Sequence, residues 1–175
     1  MTTQEFIKKA EDIAKGAPVY YAYGFTGQML TDASINAKAK QYPNWYTADR
    51  IKELKKHNGC TACDCSGLIK WILKEEMFPD FNADNIFNVY CTKVDKPYAG
   101  CLAHKKGHIG IVINDNEIVE ASSSKGKVVI SNIKDRDFTE YGKFTYLKEV
   151  PSKGDALLED LKALIKKYGG WENGS

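Results

Sequence analysis

The spacing of apolar positions divides the chain into a helical first half and a strand-rich second half. Phe6, Ile7, Ala10, Ile13 and Ala14 recur at the period of an amphipathic helix. Thr2 and Glu5 stand at capping-box spacing before it, and Gly16 offers its stop. The stretch PVYYAYGFTGQ that follows is aromatic, punctuated by glycine and without a period, and is read as irregular. Polar helical stretches run from about Thr31 to Gln41 and from about Thr47 to His57, with a turn at Tyr42, Pro43 and Asn44 between them. From Asp64 to about Glu76, Leu68, Ile69, Ile72 and Leu73 fall at helical spacing, apolar enough for a central helix.

The period then changes. HIGIVI, EIVEAS, KVVIS and FTYLKEV are short, rich in β-branched residues and separated by turn residues, so they predict consecutive antiparallel strands and an α+β domain over residues 1–150. Pro151, Ser152, Lys153 and Gly154 break the chain. Residues 151–175 then predict a C-terminal amphipathic helix with Leu157, Leu158, Leu161, Leu164, Ile165 and Tyr168 on one side, followed by a fraying tail from Trp171 to Ser175. Such a helix packs on its own domain or docks a partner or a further module.

Composition narrows the class. The 175 residues are 43% hydrophobic and 27% charged, an ordinary balance for one globular domain that excludes fibrous and disordered proteins. A net charge of +2, with lysines scattered among acids, gives no footprint for a nucleic acid. The amphipathic amino-terminal segment has no apolar stretch of the signal-peptide kind and no long apolar run occurs, so neither a signal peptide nor a membrane span is expected, and synthesis in the cytoplasm is. Five cysteines, three of them at Cys60, Cys63 and Cys65, do not suggest a disulfide framework.

A catalytic thiol needs a lowered pKa, an imidazole in reach and a third group that fixes the ring. Cys65 opens a predicted helix, where unpaired N–H groups and the positive dipole end favour a thiolate, and Gly67 keeps that turn slim. His57 falls in a lysine-rich polar helix and His104 in a loop, whereas His108 opens a strand; taken alone, it is better explained as a core or surface residue than as a base. Glu120, twelve residues further on across a hairpin, shares the parity of His108 and is placed to hold the imidazole Nδ1–H. A competing reading makes Cys60 and Cys63 half of a zinc site completed by Cys65, Cys91, Cys101 or His104. A single pair at this spacing is a weak zinc signal, and metal on Cys65 would quench a nucleophile, so no metal is expected.

DCSGLIKWIL resembles the nucleophile motif of the NlpC/P60 family, and GHIGIVINDNEIVEAS resembles its histidine strand and the strand after it. VYYAYGFTGQ, GQMLTDASINAKAKQYPNWY and KVVISNIKDRDFTEYGKFTYL extend the likeness, the second toward a branch of phage endolysins and Gram-positive wall hydrolases. The resemblance covers most of residues 1–150 and none of the last helix. It implies a papain-like fold in which a central nucleophile-bearing helix packs on an antiparallel sheet. It implies Cys65 as nucleophile, His108 as base and Glu120 as third residue, where many members carry histidine. Tyr21 matches the tyrosine that assists the oxyanion, with Tyr20 and Tyr23 as rivals, and Asp64 and Ser66 match the flanking residues, Asp64 equally serving as a helix cap. The implied activity is hydrolysis of peptidoglycan stem-peptide amides without a cofactor, beside a D-glutamyl residue. Alternatives are a muramoyl-alanine amidase with the same triad and a non-catalytic wall-binding module. Bacterial peptidoglycan is the implied partner and the cell wall the site of action.

Overall fold

In the computed structural model, which describes residues 1–74, 82–148 and 153–168, the capping box closes as its spacing predicts. Thr2 Oγ1 accepts the Glu5 N–H at 3.3 Å and the Glu5 carboxylate accepts the Thr2 N–H at 2.8 Å. Helix α1 (Thr3–Lys15) follows, buries Phe6 and Ala10, keeps Ile7, Ile13 and Ala14 at the core margin and stops at Gly16. Helices α2 (Asp32–Gln41) and α3 (Ala48–Lys55) occupy the two polar stretches, and His57 lies in the turn beyond α3.

The central helix is α4 (Cys65–Leu73). It ends earlier than its apolar pattern suggests because Lys74 turns left-handed, at φ 52°; Glu75 and Glu76 lie outside the described residues. Leu68, Ile69, Ile72 and Leu73 all enter the main core with Phe6 and Ala10, facing Ile109, Ile111, Val119 and Ala121. Each such aliphatic side chain contributes about 1.5–3 kcal/mol by burial, so this contact fixes the helix on the sheet.

The strands are β1 (Tyr20–Tyr21), β2 (Thr26–Met29), β3 (Thr61–Cys63), β4 (Cys91–Val94), β5 (Leu102–Lys105), β6 (His108–Val112), β7 (Glu117–Ser122), β8 (Lys127–Asn132) and β9 (Glu140–Phe144). They form one sheet in the order β2-β3-β1-β8-β7-β6-β5-β9-β4, antiparallel except where β1 runs parallel to β3. Helix α5 (Ala83–Tyr90) buries Ala83, Ile86 and Phe87 in the same core as α4. A second cluster of Phe25, Leu30, Ile35, Tyr46, Leu54 and Ala62 seats α2 and α3. A third, of Cys101, Ala103, Val112, Ile118 and Ile133, lies on the other face of the sheet.

Several elements depart from the sequence reading. The aromatic stretch is not irregular: Tyr20 and Tyr21 form β1, and residues 26–29 form β2. Two residues are too few to show a period of two, and their strand character comes from partners β3 and β8 that are distant in sequence. The last strand is β9, not FTYLKEV. A side chain at Gly142 would meet Cys91 Cβ at 2.6 Å and the Phe87 ring at 2.9 Å, so the chain pairs where glycine admits α5, and Leu147 then turns back to the Phe144 carbonyl. Glu149 and Val150 lie outside the described residues. His104 sits in β5 and not in a loop, buried with Nε2 2.8 Å from Asp84 and Nδ1 3.1 Å from Glu140. β3, β4, β5 and α5 carry no pattern long enough to read from sequence.

Helix α6 (Lys153–Tyr168) forms where the amphipathic pattern predicts, with Leu157, Leu161, Leu164 and Ile165 exposed. The side chains of Leu158 and Tyr168, together with Pro151, Ser152 and the tail from Trp171 to Ser175, lie outside the described residues. No helix among the described residues is long and apolar enough to cross a membrane.

Candidate active site

Asp64 caps α4 and does more than cap it. Its Oδ1 accepts the Gly67 N–H at 2.6 Å and the Ser66 hydroxyl at 2.9 Å, while its Oδ2 accepts the Gly24 N–H at 2.6 Å. One carboxylate therefore ties the start of the helix to the aromatic segment between β1 and β2. Gly67 completes the joint: a Cβ there would stand 2.0 Å from the Phe25 carbonyl oxygen. What comes close at this glycine is the Phe25 backbone, and the result places Cys65 at the helix start facing Tyr21.

Cys65 lines a cavity of ≈ 340 Å³ with Tyr21, Tyr23, Asp64, Ser66 and Asp84. Its Sγ lies 4.0 Å from the Gly107 carbonyl oxygen, beside the start of β6. No hydrogen bond joins Sγ to the His108 ring in this state. Burial pushes the thiol up to about 12, Asp64 adds to the rise, and the backbone N–H groups of Ile109, Ser66 and Cys65 only partly oppose it. Burial therefore works against the thiolate that the helix start favours, because that helix start is itself taken out of water.

His108 and Glu120 meet. Extending the β6–β7 register of Ile111 with Val119 and Val112 with Ile118 puts Glu120 opposite Gly110, with His108 one diagonal step away on the same face. His108 Nε2 lies 2.6 Å from Glu120 Oε2. The nitrogen is the reverse of the one expected: Nε2, not Nδ1, takes the carboxylate. A carboxylate can only accept here, so Nε2 carries a proton and donates it to Glu120, which leaves Nδ1 outside that contact. Phe138 stacks on the ring with centroids 5.5 Å apart.

Glu120 is fully buried, and two residues that sequence reading did not reach complete its surroundings. Ser131 on β8 donates to Oε1 at 2.7 Å. Arg136, just after the short 3₁₀ turn Ile133–Asp135, donates from Nη2 to Oε2 at 2.9 Å, and its Nε lies 2.7 Å from Oε1 but out of line for a hydrogen bond. Burial would raise the Glu120 pKa, but bonds from His108 and Ser131 and the charges of His108 and Arg136 outweigh it, and the carboxyl is held below its usual value. The Ser131 contact had a sequence signal, since β8 alternation puts Val129 and Ser131 on one face and Val129 pairs with Glu120. The Arg136 contact had none.

Tyr21 lies in the cavity wall, its hydroxyl pushed well up by burial and by the nearby Cys65 and Asp64, and so retained as a donor. Tyr23 lines the same cavity, whereas Tyr20 stacks on His57 at 3.7 Å between centroids and lines a different one. Asp84 accepts the Gly107 N–H at 2.7 Å and carries the buried His104 behind it. Of the proposed zinc ligands, Cys63 and Cys101 are buried free thiols and His104 is engaged by Asp84 and Glu140. Among the described residues no three His, Cys, Asp or Glu side chains are grouped to hold a metal ion.

Helices packed on an antiparallel-dominant sheet in this arrangement match solved structures of the NlpC/P60 fold. The chain is similar to the P60 domain of an antigen from M. avium subspecies paratuberculosis, at 20% identity and a TM-score of 0.51 over 82% of this chain and 93% of that one. It is similar also to the peptidoglycan hydrolase RipB from Mycobacterium tuberculosis, at 17% identity and a TM-score of 0.50 over 82% of this chain and 64% of that one. NlpC2 from Trichomonas vaginalis aligns at 13% identity and a TM-score of 0.52 over 82% of this chain. The chain spans about half of the Trichomonas proteins it matches, 47% of NlpC2 and 44% of NlpC1. No protein-family model matches the sequence, and no curated protein does.

Proposed function

We propose that this chain is a peptidoglycan hydrolase that cuts a stem-peptide amide beside a D-glutamyl residue by thiol acyl transfer. The observation that carries the reading is the 2.6 Å His108–Glu120 pair, with the Cys65 thiol 4.0 Å from the carbonyl oxygen of Gly107, the residue just before that histidine. A binding module has no use for a buried carboxylate aimed at an imidazole next to a thiol. The likeness to RipB supports the substrate class.

Burial favours the protonated form of the Cys65 thiol. As Sγ leaves the Gly107 carbonyl and attacks the substrate carbonyl carbon, its proton passes to His108 Nδ1, and the imidazolium is held by Glu120 through Nε2. The carbonyl oxygen becomes an oxyanion and accepts from the Cys65 N–H at the start of α4 and from the Tyr21 hydroxyl. His108 then protonates the leaving nitrogen, the C–N bond breaks and a thioester remains. Water gives a proton to His108, attacks the thioester and releases the acid with the thiol restored. Every group comes from the chain or the solvent. Asp64 and Ser66, both on the cavity wall, position the helix start and offer oxygens to the substrate.

The test is Cys65→Ala in a sacculus-lysis assay with mass spectrometry of the released muropeptides. Lysis by the wild type, fragments ending in D-glutamate, and no lysis by a variant with an unchanged far-UV spectrum are expected. Undiminished lysis by the variant would sink the mechanism.

A further inference from the structure

A second cavity of ≈ 370 Å³ opens beside the first, and Tyr21 belongs to the walls of both. Trp45 lies 5.9 Å from Tyr21 between ring centroids, and the Arg50 guanidinium sits 4.8 Å from the centre of the Trp45 ring while its Nη1 donates to the Trp45 carbonyl at 2.9 Å. Stacking and the hydrogen bond hold Arg50 in place at the cavity wall, which lowers the ordering cost of any contact it makes there. The β7–β8 turn supplies Lys125, and the start of β8 supplies Lys127, to the same cavity. Among the described residues neither ammonium has a carboxylate partner.

The acid in this wall, Glu53, is already engaged, with Oε2 2.5 Å from Lys56 and Oε1 3.6 Å from His57. Three cations thus surround a concave site whose single acid is turned to other partners. A low-dielectric aromatic wall under cations focuses a field that draws anions and gives a planar anion a flat surface to lie against.

We infer that this second cavity is a carboxylate subsite, in which Arg50, Lys125 and Lys127 hold a free carboxylate of the same wall peptide whose amide lies at Cys65. The inference rests on the function proposed above. The shared Tyr21 wall is what links the two: a peptide lying across that ring has its amide on one side and its acidic group on the other. Phosphate would answer to the same cations, so the test separates the two anions.

The experiment uses the full chain with Cys65→Ala, which binds without turnover. Calorimetry compares a stem tetrapeptide with free carboxylates, the same peptide with carboxamides, and inorganic phosphate. The free acid should bind about tenfold tighter than the carboxamide, the scale of one charge-assisted contact. That advantage should shrink with added salt and vanish in Lys125→Gln/Lys127→Gln. In the active protein the same pair of substitutions should raise KM for the free acid and leave kcat unchanged. Equal affinity for the two peptides, or an advantage that survives the double substitution, overturns the subsite. Phosphate binding without discrimination between the peptides overturns it too and assigns the cavity to a phosphate ligand. A wild type that cleaves no wall peptide, while Cys65→Ala still discriminates, refutes the hydrolase reading and leaves the subsite standing.

Discussion

Replacing Arg136 by methionine keeps much of its apolar stem and removes both contacts to Glu120, the 2.9 Å hydrogen bond from Nη2 and the 2.7 Å approach of Nε. Glu120 is then a fully buried carboxylate left with Ser131 and His108 alone. Breaking a buried pair from one side costs about 3–5 kcal/mol, because the remaining charge stays desolvated. Urea unfolding at pH 8 should show a loss of that order, read as a lower midpoint at constant slope. Pairing the change with Glu120→Gln removes the charge and leaves an amide oxygen for His108 Nε2, and the double variant should regain most of the lost stability. It should also regain more activity than Glu120→Gln alone, which strands the guanidinium. A loss below about 1 kcal/mol for Arg136→Met, the range of an exposed pair, or additivity of the two single changes, would refute the role given to the pair.

Gly67→Ala drives a methyl onto the Phe25 carbonyl oxygen at 2.0 Å and should cost about 1–3 kcal/mol or more, as overpacking does, seen as a fall in Tm with lysis lost in proportion. Alkali should weaken the fold through its buried thiols. With the Cys65 pKa raised from 9.0 to about 12, the unfolded chain releases its proton first, so stability falls as pH rises from about 9 toward 12. Cys65→Ala should flatten that fall in denaturant titrations at pH 8, 9 and 10; an identical slope in wild type and variant counts against the buried thiol.

Much of the site was legible because strand parity and helix period act at short range. The even interval from His108 to Glu120 survives the hairpin between them, since the β6–β7 register keeps both on one face. The capping oxygen of Asp64 and the small residue at Gly67 follow from helix geometry alone. The ring nitrogen that meets Glu120 was misjudged because parity fixes a face and not a rotamer. The burial that opposes a Cys65 thiolate was not legible, because a helix dipole is local while desolvation depends on what packs over the thiol. Arg136 follows a 3₁₀ turn with no period, so nothing in the chain marks it as a neighbour of Glu120. His104 looked like loop for a related reason: its strand spans four residues, and its ties are to Asp84 and Glu140 on separate elements.

The parallel pairing of β1 with β3 sets Tyr21 opposite Cys63, two positions before Cys65. The separation between the phenol and the thiol is therefore gauged by a backbone ladder and by the ties of Gly24 and Phe25 to the helix start, and helices α2 and α3 do not enter the measurement. Both helices lie between those strands, and they bring Arg50 and the adjoining Trp45 to the second cavity. Because loop-closure cost grows only slowly with length, this helical pair can be lengthened, trimmed or exchanged while the distance across the reacting centre stays constant. The Arg50 and Trp45 side of the second cavity is thus encoded apart from the Cys65 joint, whereas Lys125 and Lys127 come from elsewhere, so a graft of the α2–α3 excursion should alter one wall of that cavity without rebuilding the start of α4.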